Sequence, residues 1–216
     1  MQGGRAAFLD CDPALIPAPG RYLQAHEEGS ESPLSTQLFA ARIDAHGFLA
    51  APPIPNAWGP GTVVNVRGPL GNGFGLPPTA RRVALIAFNS AAARLLPIAE
   101  SALKQAAAVS LLTGESSSGL PLELEVHPLK ALNEILRWCD YAAIDVEAAS
   151  LGAFRQALGG SAARAPHGTA QVLVETWMPC GAIAECGVCA IRTAEGPRLV
   201  CADGPVFELS LLLTER

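Results

Sequence analysis

Four of the chain's six cysteines lie between positions 180 and 201, about a tenth of its 216 residues. Five residues separate Cys180 from Cys186, two separate Cys186 from Cys189, and eleven separate Cys189 from Cys201. Whatever else folds here must accommodate these sulfurs together. Thiolates are soft ligands that hold zinc or iron–sulfur clusters, and sulfur spacing helps decide which. Three cysteines on one glycine-containing loop, followed by a distant fourth, is the pattern of plant-type [2Fe–2S] sites, C-x4-C-x2-C…C. The first gap here is one residue longer. Structural zinc sites more often use two short-spaced pairs, and this chain has one. The spacing therefore favours an iron–sulfur cluster over zinc, and over metal-free thiols or disulfides. Gly181 and Gly187 suit a loop whose backbone must approach sulfur closely and aim N–H groups at it.

With a net charge of -5 and no run of Lys or Arg, the chain has no basic footprint for nucleic acid. Its most apolar stretch, Val83 to Thr113, is interrupted by Asn89, Arg94, Pro97, Glu100 and Lys104, so no membrane span is expected. Asp10 and Asp12 break the short apolar piece near the N-terminus, which does not read as a secretory signal. A cytoplasmic location is expected, where thiols stay reduced and clustered cysteines point to metal. Cys11 and Cys139 lack a nearby soft ligand and read as structural.

The sequence divides by texture. Residues 1–80 are rich in Pro and Gly, with short apolar pieces at Arg21–Ala25, Gln37–Ile43 and Thr62–Val66, and read as a small antiparallel β-barrel. Residues 81–175 alternate strands and helices. Val83–Ala87, Val109–Thr113, Leu122–Val126, Tyr141–Val146 and Gln171–Glu175 are the expected strands. A helix capped by Ser90 is expected next, then Lys130–Leu136 and Ala148–Leu158, the last stopping at Gly159-Gly160. Such alternation implies a parallel sheet with helices on its faces. Residues 176–216 form the cysteine segment.

Two strings carry a family resemblance. Met178-Pro179-Cys180, then Cys186-Gly187-Val188-Cys189, then Cys201-Ala202-Asp203-Gly204-Pro205-Val206-Phe207 resemble the C-terminus of the electron-transfer subunit of the two-subunit, NAD-linked bacterial dihydroorotate dehydrogenase. Gly68-Pro69-Leu70-Gly71-Asn72-Gly73-Phe74 is similar to the motif closing that subunit's flavin-binding barrel. The resemblance implies a ferredoxin–NADP-reductase-like fold, a [2Fe–2S] cluster on Cys180, Cys186, Cys189 and Cys201, and FAD contacts at Pro33, Leu34, Ser35, Gly71, Asn72 and Gly73. It also implies a catalytic flavoprotein partner carrying FMN, in a hetero-oligomer, since no turnover machinery is evident in this chain.

The chain also departs from the family pattern. Besides the longer cysteine gap and a barrel short of a strand, Glu31-Ser32 stands where the family has an Arg that salt-links the FAD phosphates. Losing such a contact typically costs about 1.5–3 kcal/mol. The glycine-rich turn after the first α/β strand is replaced by Ala87-Phe88-Asn89, and a Cys-Gly-Pro near the nicotinamide by Ile144-Asp145-Val146. A dinucleotide pyrophosphate needs that turn open, so direct NADH binding is expected to be lost. Two other functions stay open on the residues alone: a cluster-bearing adaptor without flavin or NADH, and a non-redox interaction module with structural zinc on the same cysteines.

Overall fold

A computed structural model describes residues 5–114, 120–159 and 168–213. The short apolar pieces of the first part become strands of one antiparallel sheet. These are β1 (Ala7–Asp10), β2 (Tyr22–Glu27), β3 (Thr36–Asp44), β4 (Gly47–Ala50) and β5 (Val64–Leu70), in the order β1-β4-β3-β2-β5. The sheet is a half-barrel, with β1 and β5 at its two edges. Successive strand residues face opposite ways, so β2 and β3 send Leu23, Ala25, Leu38 and Ala40 to an inner core with Phe48 and Trp58. They send Tyr22, Phe39 and Ala41 the other way, against the second part of the chain. Burial on both faces is why β2 shows no polar alternation. The four-residue strands β1 and β4 escaped sequence reading because they are too short to show a period.

The second part is a six-stranded sheet. It contains β6 (Arg82–Phe88), β7 (Ala108–Thr113), β8 (Glu125–His127), β9 (Tyr141–Glu147), β10 (Thr169–Glu175) and, after the hairpin β11 (Ala190–Thr193) and β12 (Gly196–Leu199), β13 (Val206–Glu208). The order is β13-β10-β9-β6-β7-β8, parallel except for β13, which runs antiparallel to β10. Helix α1 (Leu96–Lys104) and the turn before it cover one face, packing Leu95, Ile98 and Ala102 on Val83, Leu85 and Ala143. Helices α2 (Leu132–Trp138) and α3 (Leu151–Ala157) cover the other, over Ala84, Ile86, Ala142 and Ile144. Each fully buried Leu or Ile contributes about 1.5–3 kcal/mol of transfer free energy, which explains unbroken apolar strands. Helices α4 (Val200–Asp203) and α5 (Leu209–Leu212) complete the fold.

Two details differ from expectation. The third strand begins at Glu125 instead of Leu122, which is fully exposed. Ser90 does not cap a helix: its hydroxyl donates to the Asp145 carbonyl at 3.0 Å. The chain instead enters α1 through a 3-10 turn at Ala92–Leu95, with Pro97 in the first helical turn, where its missing N–H costs nothing. The expected stop of α3 is met at Gly159, whereas Gly160 lies outside the described residues.

The two sheets are joined where the β5 turn meets the C-terminal ending. Asn72 N–H donates to the Gly204 carbonyl at 2.7 Å, and the Asn72 side-chain amide to the Asp203 carbonyl at 2.8 Å. Val174 N–H donates to the Pro205 carbonyl at 2.8 Å, so β10 holds the same strand from its other side. Gly71 sits at φ +75 with no room: a β-carbon there would fall 2.4 Å from Pro205 Cδ and 2.8 Å from the Gly204 oxygen. Gly71→Ala is therefore expected to destabilise the protein by about 2–4 kcal/mol, from left-handed backbone plus overpacking. Urea denaturation checks this; a change under about 0.5 kcal/mol, the range of an unconstrained surface site, contradicts the close approach.

Candidate metal centre and the adjoining cleft

β10 delivers the chain to the carboxyl edge of the parallel sheet, and residues 176–189 form the loop that follows. The half-barrel pins this loop along its length. Gln37 donates to the Thr176 carbonyl at 2.9 Å, Tyr22 to the Met178 sulfur at 3.3 Å, and the Arg67 guanidinium to the Gly181 carbonyl. Within the loop, Gly181, Ala182, Ala184 and Gly187 all take left-handed backbone, with φ between 63 and 70. For alanine that conformation costs about 1–2 kcal/mol. Such residues turn successive N–H groups into one concavity, a nest that favours negative charge. The amides of Ile183, Cys186 and Glu185 favour the Cys180 thiolate, and that of Ala184 the Cys201 thiolate.

The eleven-residue gap between Cys189 and Cys201 is a hairpin. β11 and β12 pair Ala190 with Leu199, and Val200 N–H donates to the Cys189 carbonyl at 3.2 Å. The hairpin's base thus sets the third cysteine beside the fourth. Cys186 helps to lower the Cys180 pKa, Cys189 helps to raise that of Cys201, and the charge of Cys180 is felt at Cys201. All six cysteines are free thiols. Cys189 and Cys201 are buried, whereas Cys186 is exposed. Burial, then the neighbouring Cys189, pushes the Cys201 thiol up to about 11. For Cys180 burial works in the same direction but is outweighed by the Ile183 amide, the Cys186 thiol and the further amides, which bring it down to about 6. Among the described residues no three His, Cys, Asp or Glu side chains close on a single metal ion.

The other residues singled out from sequence divide between two places. Pro33 and Ser35 line a cavity of about 440 Å³ that opens on Gln24, Arg67 and Cys180. Leu34 points away and is 46% exposed. Gly71, Asn72 and Gly73 are engaged elsewhere: Gly71 and Asn72 on the C-terminal ending, Gly73 against the Pro19 carbonyl. From Ser35 the seam between the sheets continues through a cavity of about 180 Å³ beside Phe39, Met178 and Arg94. Pro52, Arg94 and Glu175 are shared with a further cavity of about 530 Å³ at the carboxyl ends of β6, β7, β9 and β10. In open α/β sheets that edge is where ligands bind.

An ion pair that sequence reading missed occupies this edge. Asp145 continues the Tyr141–Ala143 face of β9 and is fully buried; Arg94, on the turn before α1, is 6% exposed. The guanidinium grips the carboxylate in a fork, Nε to Oδ2 at 2.7 Å and Nη2 to Oδ1 at 3.0 Å, and lies 5.7 Å from the Phe39 ring centroid. Asp145 more than offsets the desolvation of Arg94 and raises its pKa further. Glu175, 3.9 Å away, has its own carboxyl pushed up by burial despite Arg94. A lone Asp in an otherwise apolar strand and a lone Arg in Ala-Ala-Ala-Arg-Leu-Leu were the available signals, since neither charge is stable in a core without the other.

Residues 175–213 match the family model described as the iron-sulfur cluster binding domain of dihydroorotate dehydrogenase B. The fold as a whole is similar to that of an NADH-dependent reduced ferredoxin-NADP oxidoreductase studied for flavin-based electron bifurcation. The TM-score is 0.66 at 15% identity, over 96% of this chain and 87% of that one. It is also similar to the ferredoxin reductase in carbazole 1,9a-dioxygenase, FAD apo form. Here the TM-score is 0.53 at 18% identity, over 72% of this chain and 58% of that one. The resemblance read from the two motif strings therefore holds, in the cysteine segment by sequence and across the chain by fold. The segment is similar to an iron–sulfur-binding domain, and the chain shares the fold of these reductases. Among the described residues no helix is long and apolar enough to cross a membrane.

Two outcomes follow from the geometry. Asp145→Ala strands a buried guanidinium and is expected to cost about 3–5 kcal/mol, whereas Arg94→Met with Asp145→Leu is expected to be near neutral or stabilising. Chemical denaturation distinguishes them, and a single-variant loss below about 1 kcal/mol, typical of exposed pairs, contradicts the burial. In metal-free protein, iodoacetamide is expected to alkylate Cys180 with a half-maximal rate near pH 6, the value set by the loop amides. A midpoint at the ordinary thiol value, near about 8.5, means those amides do not face the sulfur.

Proposed function

We propose that this chain is an electron-transfer subunit that holds a [2Fe–2S] cluster on Cys180, Cys186, Cys189 and Cys201 and serves a partner flavoprotein oxidoreductase. The observation that carries the reading is the match of residues 175–213, which include all four cysteines, to an iron-sulfur cluster binding domain. Structural zinc more often uses two short-spaced cysteine pairs, and this chain has one. Three cysteines from one loop and a distant fourth are the supply that a plant-type two-iron centre uses. When bound, such a cluster accepts and releases single electrons. The chain's own contribution is to supply the thiolates, to point N–H groups at them, and to bury one pair while leaving Cys186 open.

The partner is taken to be a catalytic subunit of the dihydroorotate dehydrogenase type, and an apolar rim supports its docking. Leu34, Trp177, Ile183 and Val188, 46–61% exposed, belong to the cysteine loop or to the segment beside it. FAD is assigned to the seam between the sheets, with Pro33 and Ser35 beside Cys180, Leu34 at the rim, and Gly71, Asn72 and Gly73 bracing the barrel end. Bound flavin would supply exchange between paired and single electrons. NADH is assigned no site: Asn89, Glu147, Glu175 and the Arg94–Asp145 pair hold the crevice where a pyrophosphate would need open backbone amides. The proposed units are residues 1–80 for flavin, 81–175 as a nucleotide-type scaffold without its nucleotide, and 176–216 for the cluster.

A second reading, an adaptor with the cluster alone, is favoured by exposed Glu31 and Ser32 in place of a phosphate-binding Arg. Oxygen-free purification tests both. Equimolar iron and acid-labile sulfide with a cluster spectrum is expected, and Cys186→Ser is expected to bleach it. Flavin released on denaturation selects the first reading, and its absence the adaptor. Zinc without sulfide overturns both.

A further inference from the structure

The loop that carries three of the cysteines has no cation of its own. Residues 176–189 include Glu185 but no Lys, Arg or His. A cation reaches them from the half-barrel. Side chains alternate along β5: Val64 and Val66 pack against the inner core, so Asn65 and Arg67 stand on the opposite face. Arg67 lies opposite Gln24 of β2, and its guanidinium donates to the carbonyl of Gly181, the residue after Cys180. Gly181 is one Cα step of about 3.8 Å from Cys180, which places the guanidinium well within a low-salt Debye length of that sulfur. Arg67 and Cys180 also line one cavity, of about 440 Å³, whose lining holds no carboxylate. Arg82, Arg94 and Arg198 each have a carboxylate partner, whereas among the described residues Arg67 has none. Its charge is therefore pinned at the cysteine loop and left unneutralised.

We propose that Arg67 raises the reduction potential of the cysteine-held centre, its charge favouring the electron that reduction adds. This rests on the cluster assignment above. Net charge around an iron–sulfur centre is one of the levers on its potential. Reduction adds one negative charge, so a fixed cation nearby stabilises the reduced centre more than the oxidised one. The bond to Gly181 keeps a long side chain at the loop that would otherwise range through solvent. Because Arg67 is exposed, its effect must weaken as salt rises. Arg67 is thus a positioning residue for charge. It neither ligates metal nor carries the electron.

The test is a dithionite titration, with mediators, of the cluster-loaded full chain at two salt concentrations. These are about 0.01 M and about 1 M, between which the Debye length falls from about 30 Å to about 3 Å. Arg67→Met keeps the apolar stem and removes the charge. At low salt it is expected to shift the one-electron equilibrium about two- to fivefold toward the oxidised state. That corresponds to about 18–41 mV more negative. At high salt the difference from wild type is expected to shrink. A shift that salt leaves unchanged means that losing the Gly181 contact reshaped the loop, and it overturns the proposal. Equal potentials at low salt, with iron, sulfide and spectrum intact, overturn it too. If Arg67→Met does not retain the cluster, Asn65→Asp carries the test. It sets a carboxylate of nearly the same shape into the same cavity, beside Arg67, and is expected to lower the potential at low salt. An unmoved potential there overturns the proposal. Wild-type protein without iron and sulfide defeats the cluster assignment itself, and this proposal with it, a result distinct from the others.

Discussion

The cysteine segment is held in place by one short stretch of backbone, Asp203-Gly204-Pro205, clasped from both sides. Asn72 from the half-barrel takes the Asp203 and Gly204 carbonyls, and Val174 from the parallel sheet takes that of Pro205. Two residues upstream of that clasp is Cys201. The fourth sulfur is therefore positioned by both sheets at once, and any slip between them would move it. Backbone hydrogen bonds suit this task because they leave little freedom in angle, whereas apolar packing alone tolerates sliding. Gly71 belongs to the same constraint, since any side chain there would force the two elements apart.

The loop carrying the first three cysteines is built differently. It has little secondary structure of its own and keeps its shape through left-handed residues and contacts from β2, β3 and β5. Two of the left-handed positions are alanines, an unfavourable choice that persists only where the surroundings over-determine the backbone. The return for that strain is a set of amides aimed at sulfur. The loop depends on the half-barrel for its conformation, which couples the first part of the chain to the chemistry of the last.

Much of this architecture was legible in the residues. The apolar runs at Val83–Ala87 and Tyr141–Val146 could only be buried strands, and their alternation with helices required a parallel sheet. The cysteine spacing announced a sulfur-rich site, and the Cys-x-Asp-Gly-Pro-Val-Phe ending its relatives. What escaped was what depends on distant partners. Nothing local told that Asn72 would grip Gly204, or that Arg94 and Asp145, 51 residues apart, would meet in the core. Tyr22 and Gln24 read only as strand residues, because their role comes from a sulfur more than 150 positions away. Ser90 had the right chemistry for a helix cap but found a better acceptor across the sheet.

The hairpin between Cys189 and Cys201 separates distance along the sequence from distance in space. Because the two strands pair antiparallel and meet at their base, lengthening both by equal amounts would move only the tip, leaving the sulfurs where they are. Equal lengthening of the two strands would change this gap in even steps, whereas the Cys180–Cys186 gap, one residue longer than the plant-type spacing, lies in a loop with no such ladder. A fixed-length pattern drawn across all four cysteines would overlook kin that differ only in how far that ribbon projects.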